Sequence, residues 1–222
     1  MRRFFDIIFS ALALVVFSPF LLFVAILLRF SGEGEVIYTQ PRVGKDGRLI
    51  GLFKFVTMLK NSPNMTMGTI TVKDDPRVLP VGKYLRKSKV NELPQLLNVF
   101  LGEMSVIGPR PQTERCFYAF PKTSQNAIKQ VKPGLSGIGS IVFRDEESIL
   151  DNPDIDRLQY YDEVIAPYKG KLEEWFIQHQ DLYTYFMLIG LTVWMVIFPK
   201  SELYKKVFTD LPQVPESLKH LL

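Results

Sequence analysis

Residues 73–111 gather the side chains that could handle a phosphate ester. Gly108-Pro109-Arg110-Pro111 reads as a rigid turn, because two prolines fix their own φ and restrict the residues before them. Such a turn, with Pro109 shaping it, aims the Arg110 guanidinium in a set direction suited to bidentate capture of a phosphate. Arg86 and Lys87 add positive charge. Asn91-Glu92 precedes an apolar helix read over 93–100, so Glu92 falls where the helix macrodipole favours an anion or a phosphate. Lys73-Asp74-Asp75-Pro76-Arg77 places carboxylates and an arginine on one turn. Arg110 could also pair with a carboxylate while the prolines merely shape a loop, and the residues alone leave both readings open.

Other chemistries find less support. The chain has neither a G-x-G-x-x-G run nor a P-loop lysine motif, so the usual nucleotide-binding readings fall away. Asp154-Ile155-Asp156 has the spacing of metal-dependent glycosyl transfer, but two acids two apart arise easily in an acidic loop. The single cysteine, Cys116, excludes an intrachain disulfide, and with His179 and His220 it offers too few ligands for structural zinc. The formal charge of +4 is unevenly spread: residues 40–90 carry eleven Lys/Arg against three acids, and residues 145–181 carry eleven acids against three Lys/Arg. A basic block following an apolar N-terminus suits anionic headgroups or a phosphorylated substrate, and a solvated charged surface is the plainer alternative. Nucleic acid is not an expected partner.

The elements that must position these groups follow from periodicity and breakers. At 222 residues the chain fits one domain with a membrane appendage. Residues 7–28 form a 22-residue run without a charge, enough to cross roughly 30 Å of hydrocarbon and longer than the apolar region of a signal peptide. Ser18-Pro19 in its middle predicts a kink or break. Arginines at both ends give the positive-inside rule no preferred direction. Both facts suit a helix that enters the bilayer, bends and returns, while an ordinary span with a tolerated proline fits equally well. A second apolar run, 182–198, is short for a span and carries Tyr183, Tyr185 and Trp194, as an interfacial helix would. Strands are expected over 36–39 and 49–55, joined at Gly44-Lys45-Asp46-Gly47 as a hairpin. A loop is expected over 61–68, and helices over 81–88, 93–100 (Pro94 near the start, Gly102 as cap), 113–131 and 172–179. The expected fold is α+β, helix-rich and without βαβ alternation. It divides into a membrane helix over 1–30, a catalytic domain with interfacial helices over 31–200, and a tail over 201–222.

Taken together, these segments resemble the signature of the bacterial sugar transferases, the monotopic phosphoglycosyl transferases. Ser18-Pro19, Phe53-Lys54-Phe55-Val56-Thr57-Met58, Asp75-Pro76-Arg77, Asn91-Glu92-Leu93-Pro94-Gln95, Gly102-Glu103-Met104-Ser105, Gly108-Pro109-Arg110-Pro111 and Pro133-Gly134-Leu135-Ser136-Gly137 follow in the family's order. The resemblance runs from Arg2 to about Thr192. It implies a re-entrant helix broken at Ser18-Pro19 with both ends cytosolic, on the inner membrane of a bacterium. It also implies transfer of a phosphosugar from a UDP-sugar to undecaprenyl phosphate with magnesium, releasing UMP at the first membrane step of glycoconjugate assembly. Arg110, Arg77, Arg86, Lys54 and Arg144 are then the expected phosphate and nucleotide residues. Glu92, with Asp75 or Glu103, is the expected magnesium set. A homodimer is compatible with this reading.

The sequence departs from the family at its centre. Asn91 occupies the place of the aspartate that carries the covalent phosphosugar, and a carboxamide is a poor nucleophile. Three readings follow. Glu92 serves as the catalytic carboxylate with Asn91 orienting substrate or metal; or the lipid phosphate attacks directly; or the chain is a silent or engineered Asp-to-Asn relative that acts as a lipid- and nucleotide-binding scaffold. Arg144 falls on a family arginine, and Asp145, Glu146 and Glu147 after it could supply a compensating carboxylate. Val56 stands in place of an arginine.

Overall fold

The architecture comes from a computed structural model, which describes residues 1–31, 33–62, 75–152, 155–219 and 221. Most of the loop expected over 61–68, the Lys73-Asp74 pair and Asp154 lie outside these residues. Helix α1 (Arg2–Arg29) is one unbroken element with Pro19 inside it, so the expected break is not present. Pro19 has no N–H to give the Val15 carbonyl, and the Ser18 hydroxyl donates to that carbonyl at 2.8 Å instead. The helix is long and apolar enough to cross a membrane. Its middle is exposed along Leu12, Val15, Val16, Phe17 and Phe20, while both ends pack on the same globular body. At one end the buried Asp6 carboxylate accepts from Val106 N–H at 2.9 Å, Tyr185 O–H at 2.9 Å and Ser105 O–H at 3.0 Å. At the other, Val24 and Leu28 cluster with Phe55 and Leu85.

The hairpin is present as expected, although its first strand is longer. β1 (Ile37–Val43) pairs antiparallel with β2 (Leu49–Phe55), from Ile37 opposite Phe55 to Val43 opposite Leu49. In the connecting turn Asp46 and Gly47 adopt φ of 58° and 73°. There follow α2 (Pro80–Lys87), a 3₁₀ turn Val90–Glu92, and α3 (Gln95–Leu101), which ends at Gly102 with φ of 94°. A short parallel pair, β3 (Ser105–Ile107) and β4 (Gly134–Ser136), is joined through α4 (Glu114–Tyr118) and α5 (Lys122–Ile128). The expectation of no βαβ unit is therefore corrected: strands of three residues are too short to show a period of two. The single helix expected over 113–131 is two, because Pro121 cannot continue the first.

The core lies behind β3 and β4. It is built by α6 (Ile138–Val142), α7 (Glu146–Leu150), α8 (Arg157–Tyr160), a five-residue π turn Tyr161–Ile165, α9 (Ala166–Gln178), α10 (Leu182–Ile197) and α11 (Leu203–Val207). Phe117, Ile138, Ile165, Leu172 and Leu188 are essentially inaccessible there. Helix α10 turns Tyr185, Leu188 and Leu191 to this core and leaves Tyr183, Trp194 and Ile197 exposed. Residues after 200 lie against α9: Tyr204 and Phe208 are buried, and Trp175 Nε1 donates to Asp210 at 2.8 Å.

Candidate active site

Two strands supply cations. Directly paired residues of a hairpin share a face, and alternate residues repeat it. Arg42, opposite Ile50, and Lys54, opposite Tyr38, therefore project from one face. Asn98, fully buried on α3, pins this hairpin by donating to the Gly51 carbonyl at 2.8 Å and accepting from Phe53 N–H at 3.0 Å. The carboxylate comes from the tight connection between α2 and α3. Lys89 adopts φ of 59°, turning the chain after α2, and the 3₁₀ turn that follows buries Asn91 and presents Glu92. Because α3 begins at Gln95, Glu92 stands ahead of that helix rather than in its first turn.

Arg110 arrives from the turn wedged against β4. Gly108 N–H donates to the Ser136 carbonyl at 2.9 Å, and Gly134 N–H donates to that of Pro109 at 2.8 Å. A Cβ on Gly134 would lie 2.1 Å from the Gly108 nitrogen, so only glycine allows this approach. Arg110 Nη2 donates to Glu92 Oε1 at 2.8 Å, and Lys54 Nζ stands 3.6 Å from the same oxygen. Burial pushes the Glu92 carboxyl up, but Arg110, Lys54 and Lys89 outweigh it and hold the group well below the usual carboxylate range. Burial lowers the Lys54 ammonium to about 8; Glu92 opposes that shift, while Arg42, Arg110 and Arg86 add to it. Burial and the neighbouring Arg110 also lower Arg42. Three cations thus face one carboxylate, and the surplus is positive. Such a site attracts a polyvalent anion such as a diphosphate. Beside Glu92, the Asn91 Oδ1 is buried and accepts no hydrogen bond.

Other sequence-predicted residues have different surroundings. Asp75 and Arg77 are buried and paired with each other, Arg77 Nη2 donating to Asp75 Oδ2 at 2.7 Å. Arg77 also donates to the Ser62 carbonyl at 3.1 Å. The Glu103 carboxylate accepts from the Asn98 amide at 2.7 Å. Arg144 donates to the Met195 carbonyl on α10, Glu146 pairs with Lys169, and Asp145 accepts from Ser148. Asp156 caps α8 by accepting from Leu158 and Gln159 N–H. Among the described residues, no group of three or more His, Cys, Asp or Glu side chains gathers around a point where a metal could sit. Sequence reasoning missed Arg42 and Asn98. Arg42 was counted within the basic block, where nothing marked it as the inward-facing member.

The model of the bacterial sugar transferases matches residues 1–199. The chain belongs to this family. The sugar transferase is 47% identical over 110 residues to the exopolysaccharide production protein PSS of Rhizobium leguminosarum, a match covering 50% of this chain and 55% of PSS. It is 35% identical over 161 residues to the exopolysaccharide production protein ExoY of Sinorhizobium fredii, covering 66% of this chain and 71% of ExoY. With the UDP-glucose:undecaprenyl-phosphate glucose-1-phosphate transferase of Klebsiella pneumoniae it shares 39% identity over 144 residues, which cover 63% of this chain and 30% of that enzyme. The sugar transferase thus spans just over half of PSS and under a third of the Klebsiella enzyme.

Proposed function

We propose that this sugar transferase moves a phosphosugar from a UDP-sugar to undecaprenyl phosphate, releasing UMP, at the first membrane step of glycoconjugate assembly. The observation that carries the reading is the half-buried cluster in which Arg110 and Lys54 flank Glu92, with Arg42 beside them. A phosphate oxygen of the acceptor attacks the sugar-bearing phosphorus of the donor. The bond from that phosphorus to the bridging oxygen breaks, and UMP leaves with the electron pair. Direct attack is favoured because Asn91 cannot hold a covalent phosphosugar, and the Glu92 oxygen nearest the cations is committed to Arg110 and Lys54. Arg110, Lys54 and Arg42 hold the diphosphate oxygens and offset the charge that develops on them. Glu92 stays ionised at neutral pH and keeps Arg110 and Lys54 aligned.

Glu92 and the partnerless Asn91 Oδ1 are oxygens that fit magnesium, which takes one or two protein ligands and completes its shell with phosphate and water. Asp75 is held by Arg77 and Glu103 by Asn98, so the proposal places magnesium on Glu92 and Asn91. Bound there, magnesium would neutralise the diphosphate and stabilise the departing UMP.

The membrane arrangement we propose is re-entrant, on the cytosolic face of the bacterial inner membrane. A straight span would carry the two ends of α1 to opposite sides, yet Asp6 and Leu28 both pack on the same body. The test is UMP release from a panel of UDP-sugars with undecaprenyl phosphate and magnesium. The wild type is expected to release UMP with at least one sugar, and Glu92→Gln to lower the rate at least about 100-fold. No release by wild type, with release restored by Asn91→Asp, would identify a silent scaffold and sink the proposal.

A further inference from the structure

Gln40-Pro41-Arg42 puts two polar side chains on alternate residues of β1, so both project from the face that also carries Lys54. Arg42 Nη2 donates to Gln40 Oε1 at 2.7 Å. The next residue fixes where that pair stands: Val43 N–H donates to the Gln112 carbonyl at 2.9 Å, two residues beyond Arg110. Arg42 therefore lies against the segment that presents the Arg110 guanidinium. The cations of the cluster are held in different ways. Glu92 takes Arg110 and Lys54, whereas Arg42 makes no salt bridge among the described residues and has a neutral amide as its side-chain partner. Arg42 Nε is in addition buried without a hydrogen-bond partner. A buried donor without an acceptor costs free energy, and in a cluster of cations a phosphate oxygen is the acceptor that would satisfy it. A carboxylate at position 40 would bind the guanidinium more strongly, but it would also cancel the charge that attracts a polyvalent anion. Gln40 is half-buried on a strand, where a β-branched or aromatic side chain would pack as well or better. Packing therefore gives no reason for an amide here, whereas its hold on Arg42 does.

We infer that Gln40 is a positioning residue, whose neutral amide holds the Arg42 guanidinium toward the phosphate site while leaving its charge for the diphosphate. This rests on the phosphate-site reading above and extends it to a residue outside the cluster. The test measures UDP binding by titration calorimetry on the full chain in detergent, for wild type, Gln40→Leu, Gln40→Glu, Arg42→Ala and the Gln40→Leu/Arg42→Ala double variant, with thermal unfolding of each. Gln40→Leu is expected to melt near the wild-type temperature and to bind UDP about tenfold more weakly. In the Arg42→Ala background, itself weaker than wild type, Gln40→Leu should have no further effect. Gln40→Glu keeps the bond to Arg42 but neutralises it. It is expected to lose affinity about tenfold as well, and its remaining affinity should fall less steeply than that of wild type as sodium chloride is raised. Nearly isosteric with the native residue, it keeps the test decisive if Gln40→Leu unfolds. Wild-type affinity in Gln40→Leu, Gln40→Glu or Arg42→Ala, or additive losses in the double variant, would overturn the positioning role alone. Absence of UDP binding by wild type would instead overturn the phosphate site on which it rests.

Discussion

Glu92 and Lys54 are pushed in functionally opposite ways by one pocket. The surrounding cations keep the carboxylate charged far below neutrality, and burial brings the ammonium down to about 8. Lys54 therefore loses its charge as pH rises through about 8, and with it part of the attraction for a diphosphate. The KM for the UDP-sugar is expected to rise above that pH in the wild type. Lys54→Arg, whose guanidinium stays protonated, should remove that alkaline limb while leaving the acid side unchanged. A pH profile of kcat/KM checks this, and an identical alkaline limb in both proteins would exclude Lys54 as its source. The site was partly legible at this scale. Arg110 and Glu92 could be read from their motifs, because a proline-bounded arginine and an acid before a helix have local meaning. Arg42 could not: its role depends on which way a strand faces, and that is settled by packing between segments far apart in sequence.

The hairpin, α2 and α3 were legible because strand residues, glycine turns and a glycine cap all act locally. The parallel β3–β4 pair was hidden, since it depends on contact between Ser105-Val106-Ile107 and Gly134-Leu135-Ser136 across an intervening pair of helices. That pair sets the height of the Arg110 turn through contact of Gly108 with Gly134. Gly134→Ala would force a methyl to within 2.1 Å of backbone that cannot swing away. It is expected to destabilise the protein by about 1–3 kcal/mol and to cut UMP release by more than the unfolded fraction explains. Thermal unfolding and activity measured together check this; a normal melting temperature with full activity would contradict the role given to the pair. In α1 the Ser18 hydroxyl beside Pro19 supplies the donor that the proline lacks, and the helix is continuous through the position where a kink or break was expected.

At the scale of the whole molecule, one body holds both ends of its longest helix, and in the proposed arrangement the exposed middle of α1 would face lipid. Cysteines placed ahead of Met1 and at Phe30, which is 87% exposed, in a Cys116→Ser background should both react with an impermeant maleimide from the cytosolic side. Labelling from opposite sides would show a span and sink the re-entrant arrangement. In the proposed arrangement the anchor would bring the cluster of Glu92, Arg110, Lys54 and Arg42 to the membrane surface, where a lipid phosphate would attack a bound diphosphate without a covalent stage. Asn91 makes that the central claim, and a single-turnover experiment tests it most directly. Stoichiometric protein is mixed with its UDP-sugar and magnesium, with and without undecaprenyl phosphate, and UMP is followed over time. Direct transfer requires UMP to appear only when the lipid phosphate is present. A burst of UMP equal to the protein concentration in its absence, with the phosphosugar mass left on the chain, would contradict it.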